Sequence, residues 1–368
     1  MTENIFNGSP SIILEHRPFL SIIVACYNSR ETIGNLLDSI LNQNMEDDLE
    51  VILADDNSTE SYQDIVDQYK TKLSIRQIKT DYNFAPGNTR EKGVSIAEGE
   101  WITIADHDDE FIENALPQVR DIIKNTNEKY YVITDFIEVN AETGKTIREM
   151  KGTRNWNHGK FYNLDNLWKA YNIHFKKDLL THEDIYISSC INSVMHKING
   201  DKPLYIELFT YKWNARPTSV SREKYGEHSF LEVFLGDYIT STGYAYLEQL
   251  NSNQIDESYV LHSVIEVLLY CYFYSQGFIF HDPINYKRDN ENLCRVYLVK
   301  IKETFQIDNT FILNYVSQND AELFESVREF AKIGCGPFVE SVTFIQWLNV
   351  LHADIVKRVT MSDAMHKV

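Results

Sequence analysis

The sequence predicts an α/β domain built on a mostly parallel sheet, followed by a mainly helical C-terminal region. Three observations carry this reading. Short apolar runs alternate with segments of helical periodicity through the first half of the chain; each apolar run ends in polar residues; and beyond about residue 225 Gly and Pro become sparse while helical spacing dominates.

The elements follow in order. Leu20–Cys26 is an uncharged apolar run and reads as a buried strand. Ile33, Leu36, Leu37 and Ile40 then fall on one face of a helix over Glu31–Asn42. Glu50–Ala54, Ile75–Ile78 and Trp101–Ala105 read as further strands, separated by helices over Tyr62–Tyr69 and Asn88–Ala97. Ligands of an open parallel sheet lie at the carboxyl ends of its strands, so Tyr27-Asn28, Asp55-Asp56 and Asp106 to Asp109 are expected to converge on one crevice. Farther on, Glu183-Asp184 precedes Ile185-Tyr186-Ile187, an apolar helix start. In the C-terminal region Leu261, Val264, Ile265, Leu268, Leu269 and Tyr272 keep helical spacing, and Phe338, Val342, Ile345, Leu348 and Ile355 form a last apolar stripe. The expected organisation is an N-terminal extension (1–17), the α/β domain (18–225) and a helical accessory domain (226–368).

Composition narrows the function. The 368 residues include 43% hydrophobic residues, enough for a sizeable core. Lys and Arg number 35 against 54 Asp and Glu, a net charge of −19 that repels a phosphate backbone and argues against nucleic acid as a charge-bound partner. A divalent cation can still bridge carboxylates to a nucleotide's phosphates. Five cysteines, an odd number without Cys-x-x-Cys spacing, point to a reduced, cytoplasmic protein. Met1 to Pro18 lacks the basic start and apolar run of a signal peptide, and Val264 to Phe280, the most apolar later stretch, is too short and too interrupted to span a bilayer.

Asp106-His-Asp-Asp109 directly follows an apolar strand, where carboxylates suit a hard cation that takes phosphate oxygens as its other ligands. The plain structural alternative is a solvated turn with helix-capping carboxylates. Asp55 reads as a cap of the following helix, Thr181-x-x-Asp184 would make a capping pair, and Cys26 is a small core residue.

The ordered set of motifs resembles the family 2 glycosyltransferases, inverting enzymes of the GT-A fold. The matching stretches are Ser21 to Asn28, Glu50 to Glu60, Asn83 with Gly87 to Gly93, Ala97 to Thr103, Asp106 to Asp109 and Glu183-Asp184. The resemblance implies nucleotide contacts from Ala25, Tyr27, Asn28, Asp56, Arg90 and Asp106, with Tyr27 stacking on a uracil ring, Asp56 accepting its imide N–H and Arg90 reaching toward the phosphates. It implies Mn²⁺ or Mg²⁺ at Asp108 and Asp109. His107 takes the place of a usual small residue and is expected to point outward. Asp184, about 75 residues beyond the Asp-x-Asp motif and with Glu183 beside it, matches the general base that deprotonates the acceptor hydroxyl. His182, which replaces the commoner Gly, Arg216 and Trp213 are implied contacts of donor or acceptor; Trp156 and Trp168 are further stacking candidates.

The resulting expectation is a metal-dependent inverting transfer from a UDP-sugar to a glycan or another hydroxyl-bearing acceptor. A nucleotidyltransferase would need a Gly-rich basic loop after the first strand, and Tyr27-Asn-Ser-Arg-Glu31 has no glycine and one cation. The remaining alternative is an inactive sugar- or nucleotide-binding scaffold of the same fold. Trp347, Lys357 and Arg358 beside the last apolar stripe make the C-terminal helices candidates for self-association or peripheral membrane contact.

Overall fold

In the computed structural model the described residues are 14, 16–83, 85–154, 156–176, 179, 182–199, 202–216, 224–225, 228–229 and 245. The chain divides into two compact units, residues 1–223 with 248–256 and residues 224–247 with 257–368. The described part of the second unit is a short antiparallel pair, Lys224–Tyr225 with His228–Ser229, and Ala245. The helical patterns expected beyond residue 225 lie outside the described residues. No helix among the described residues is long and apolar enough to cross a membrane.

The first unit holds one mixed sheet. Strands β1 (Leu20–Cys26), β2 (Leu49–Asp55), β3 (Ser74–Lys79) and β4 (Trp101–Asp106) pair in parallel in the order β3-β2-β1-β4. Helices α1 (Ile33–Leu41), α2 (Gln63–Tyr69) and α3 (Pro86–Ser95) connect them. Beyond β4 lie β8 (Lys160–Asn163), β6 (Tyr131–Asn140), β9 (Leu204–Ala215) and the two-residue β5 (Glu110–Phe111), with β7 (Thr146–Met150) paired to β6. Strand β8 runs antiparallel to both β4 and β6, which restores the direction of β4 in β6 and β9. The remaining elements are α4 (Ala115–Thr126), a π-helical turn at Leu164–Lys169 and α5 (Glu183–Asn199).

The sequence pattern explains these choices. Every residue of β1 except Ala25 is buried, as a parallel strand covered on both faces requires. Helix α1 buries Ile33, Leu36, Leu37 and Ile40, and each such side chain contributes about 1.5–3 kcal/mol of burial. Helix α3 starts at Pro86, two residues before the expected Asn88, because proline fits the first helical position, where its missing N–H is no loss. It packs on the sheet through Gly93, where an added Cβ would sit 2.6 Å from Ile23 Cγ2.

Gly93→Ala is therefore predicted to overpack the α3–β1 contact and lower stability by about 1–3 kcal/mol, measured by urea unfolding. Unchanged stability would show that the contact yields without cost.

Candidate active site

The carboxyl ends of β1, β2 and β4 and the first turn of α5 supply the polar residues that the sequence singled out. Ala25 sits next to the end of β1, and Tyr27 follows it with 44% of its surface exposed, leaving an aromatic face open. Asn28 takes a left-handed backbone (φ 48°). Its Oδ1 accepts from the Thr59 backbone N (2.9 Å) and hydroxyl (3.0 Å), so it pins the loop after β1 to the loop after β2. Asp55 accepts from Ser58 N at 2.6 Å. That bond closes the turn after β2 and does not cap a helix, because α2 begins only at Gln63. Asp56 is buried, with the Thr80 hydroxyl donating to its Oδ1 at 3.2 Å. Tyr82, past the end of β3 and 57% exposed, is a second open aromatic that the sequence reading had not singled out.

Strand β9 frames the acidic turn after β4. The Tyr211 hydroxyl accepts from Asp106 N (2.9 Å) and donates to Asp109 Oδ2 (2.9 Å), and Asn214 N donates to Asp109 Oδ1 (2.8 Å). Asn214 Nδ2 also donates to the Asp108 carbonyl at 3.0 Å. Burial, and then the charges of Asp106 and Asp108, raise the Asp109 carboxyl well above the ordinary carboxylate range. Asp108 is also raised, chiefly by burial, and its Oδ2 lies 3.8 Å from Arg216 Nε. Burial would raise Asp106 too, but the Arg90 guanidinium and His158 beside it hold it below the usual range. His107 turns toward the start of α1, with Nδ1 2.8 Å from Thr32 Oγ1.

His158 is the residue that the sequence did not reveal. Its Nε2 lies 3.5 Å from Asp106 Oδ2 and 3.7 Å from Asp109 Oδ2. Asp106, Asp109 and His158 thus offer ligand atoms all within 4.8 Å of one another. The cluster includes Asp109, as the sequence reading expected, but draws in Asp106 and His158, with Asp108 beside it. The imidazole stacks on Tyr211 (5.0 Å between centroids, 16°) and lies 5.4 Å from the Trp213 ring. Trp213, half-buried on β9, also has Arg148 5.9 Å above it. A tight turn delivers His158: Gly159 is left-handed (φ 65°), and an added Cβ there would lie 2.9 Å from the Thr134 carbonyl. Next to it Lys160 is fully buried, donates to the His158 carbonyl (3.0 Å), and is pushed down to about 7 by burial, with Asp135 opposing. A lone His-Gly before an apolar strand carries no signal tying it to carboxylates some 50 residues upstream.

At the start of α5, His182 has φ 57°, the left-handed region where glycine is at ease, and its carbonyl accepts from Tyr186 N. Arg90 is buried on α3 and is no surface arginine. Its Nη2 donates to Asp106 Oδ1 at 2.6 Å and its Nη1 to Glu183 Oε1 in a short ion pair. Burial, reinforced by the charge of Glu183, pushes the Asp184 carboxyl up to about 7. The site therefore joins an open aromatic face, a cluster of oxygen and nitrogen donors, and a carboxyl poised to exchange a proton near neutrality.

Two carboxylates and an imidazole make a donor set that suits Mn²⁺ and accepts Mg²⁺ less readily. His158→Ala is predicted to weaken Mn²⁺ binding, titrated by electron paramagnetic resonance, by at least the roughly 10–100-fold that loss of an outer-shell partner costs. An unaltered affinity would remove His158 from the cation site.

Comparison with known proteins gives a consistent picture. Residues 21–196 match the family model described as glycosyl transferase family 2. A poly(ribitol-phosphate) beta-glucosyltransferase of Bacillus spizizenii is 40% identical over 100 residues, 26% of this chain and 16% of that protein. An uncharacterized glycosyltransferase of Methanocaldococcus jannaschii is 26% identical over 190 residues, 51% of this chain and 61% of that one. The matches thus span less than two thirds of either relative's length. The crystal structure of S. aureus TarS 1–349 in complex with UDP superimposes with a TM-score of 0.60 at 19% identity, covering 86% of this chain and 91% of that one, a likeness that shows the GT-A fold.

Proposed function

We propose that this chain, whose residues 21–196 form a family 2 glycosyltransferase domain, transfers a sugar from a UDP-sugar to an acceptor hydroxyl with inversion at the anomeric carbon. The observation that carries this reading is the convergence of Tyr27, Asp56, the Asp106–Asp109–His158 cluster and Asp184 around the carboxyl ends of β1, β2 and β4. Complexes of TarS with UDP and with UDP-GlcNAc on the same fold support a uridine diphosphate donor. So do the residues: the exposed Tyr27 ring offers a stacking face, and the Asp56 carboxylate can accept an imide N–H.

Asp106, Asp109 and His158 would hold Mn²⁺ or Mg²⁺, with Asp108 beside them. Such a cation supplies positive charge to the diphosphate leaving group. Arg216 is proposed to bring a second positive charge to the same phosphates, a role supported by its position 3.8 Å from Asp108. Asp184 takes the acceptor's proton as that oxygen attacks opposite the departing nucleotide, which turns an α-linked donor into a β-linkage. A carboxyl near 7 suits this task, because it is a stronger base than an ordinary carboxylate and about half of it is ionised at neutral pH. Trp213 and His182 are proposed to line the sugar side of the site. The catalytic domain is proposed to span residues 18–225 and the accessory region 226–368; the compact units divide near that point, at 223/224, with residues 248–256 grouped with the first.

The test is release of UDP from a panel of nucleotide sugars with Mn²⁺. Asp184→Asn is predicted to slow transfer by about 10²- to 10⁴-fold, and an undiminished rate would overturn the assignment. Because the ionised form of Asp184 acts, kcat/KM should rise with pH through about 7 and level off above it. A rate that falls across that interval would contradict the role.

A further inference from the structure

Two adjacent carboxyls open α5, and only one of them can take the acceptor's proton. The geometry around Arg90 separates them. Its guanidinium is buried between elements distant in sequence, with Nη1 donating to Glu183 on α5 and Nη2 to Asp106 at the end of β4. One turn earlier on α3, Gly87 lies directly against the same glutamate, since an added Cβ would be 3.1 Å from Glu183 Cβ. Helix α3 thus forms a seat for the first turn of α5, and Arg90 is the charged contact within it. Both terminal nitrogens of Arg90 already serve carboxylates. For the guanidinium to swing to the donor's phosphates, as the family resemblance implies, it would have to give up its ion pair with the buried Glu183, which is unfavourable.

We propose that Arg90 is a positioning residue: it clamps the Glu183 carboxylate and thereby fixes the start of α5 so that Asp184 alone faces the acceptor as base. Glu183 is then part of the clamp and touches no reacting atom. The inference rests on the glycosyltransferase reading above and goes beyond it by assigning two residues that the resemblance placed on the nucleotide and in catalysis.

The test uses the full chain with Arg90→Gln, Glu183→Gln, the double variant and Arg90→Lys. It measures UDP release from the donor that wild type turns over, and UDP affinity by calorimetry, which needs no turnover. Each single Gln variant should lose about 10²-fold in kcat, the scale of a 1 Å misplacement, with donor KM and UDP affinity unchanged. The double variant should be no slower than either single, because the two side chains act as a unit. Arg90→Lys should recover part of the rate, since one ammonium serves one carboxylate better than two. A raised donor KM and weakened UDP binding in Arg90→Gln, or losses that multiply in the double variant, would overturn the proposal and return Arg90 to the phosphates. If Arg90→Gln does not fold, Glu183→Gln decides, because it keeps the side chain's size and removes the charge that Arg90 holds: a fall in kcat at constant UDP affinity supports the clamp, and an unchanged kcat overturns it. A wild type that turns over no nucleotide sugar overturns the functional reading, and this inference with it.

Discussion

The site depends on burying carboxylates beside one guanidinium. Asp109 and Glu183 are buried, Asp106 and Asp184 half-buried, and Arg90 is the cation that touches two of them. Removing one partner of such a buried pair leaves an uncompensated charge and costs about 3–5 kcal/mol. The other carboxylates are held by different means. Asp109 accepts a phenol and a backbone N–H from β9, but burial and the charges of Asp106 and Asp108 outweigh these bonds and raise its carboxyl. Asp184 is raised by burial and by the Glu183 charge beside it, against the backbone N–H of Ile185 that donates to it at 2.8 Å. Asp106 is kept ionised while Asp108, Asp109 and Asp184 are pushed toward protonation, an arrangement that stores chemistry at some cost to stability.

The sheet makes this possible. Four parallel strands bring their carboxyl ends to one rim, where loops and helix starts supply polar groups without breaking the core. The antiparallel β8 then turns the sheet so that β6 and β9 run alongside, and β9 reaches back to β5 and the acidic turn. Tyr211 joins these halves: its ring packs edge-on to Phe111 and stacks on His158, and its hydroxyl binds both Asp106 and Asp109. Strand β5, His158 and the acidic turn are therefore one connected structure.

Strands β1, β2 and β4 were legible because parallel strands buried on both faces leave mostly apolar runs, whereas β3 is partly exposed and carries Arg76 and Lys79. Leu20–Cys26 was read with the bounds it has, and Trp101–Asp106 exceeds its reading by one residue. The faces of α1 were legible from period alone. Helix α3 was harder, since it buries Gly87, Asn88, Thr89 and Arg90 and has little apolar stripe to show. The second half of the sheet was mostly illegible: β6 and β9 pair across about 70 residues with register shifts, and no local pattern announces such a contact. The same holds for the site. Asp56, Asp106 and Asp184 stood out by position after strands or before a helix. His158 and the Arg90 clamp did not, because each acquires meaning only from partners 52 and 93 residues away.

The ends of β1, β2 and β4 are proposed to form a uridine diphosphate site. Calorimetric titration of the full chain with UDP, CDP, GDP and ADP in the presence of Mn²⁺ tests it most directly. Selective binding of UDP, weakened in Asp56→Ala and Tyr27→Ala, is the predicted result. Binding of no nucleotide, or of a purine nucleotide as tightly as UDP, would contradict it.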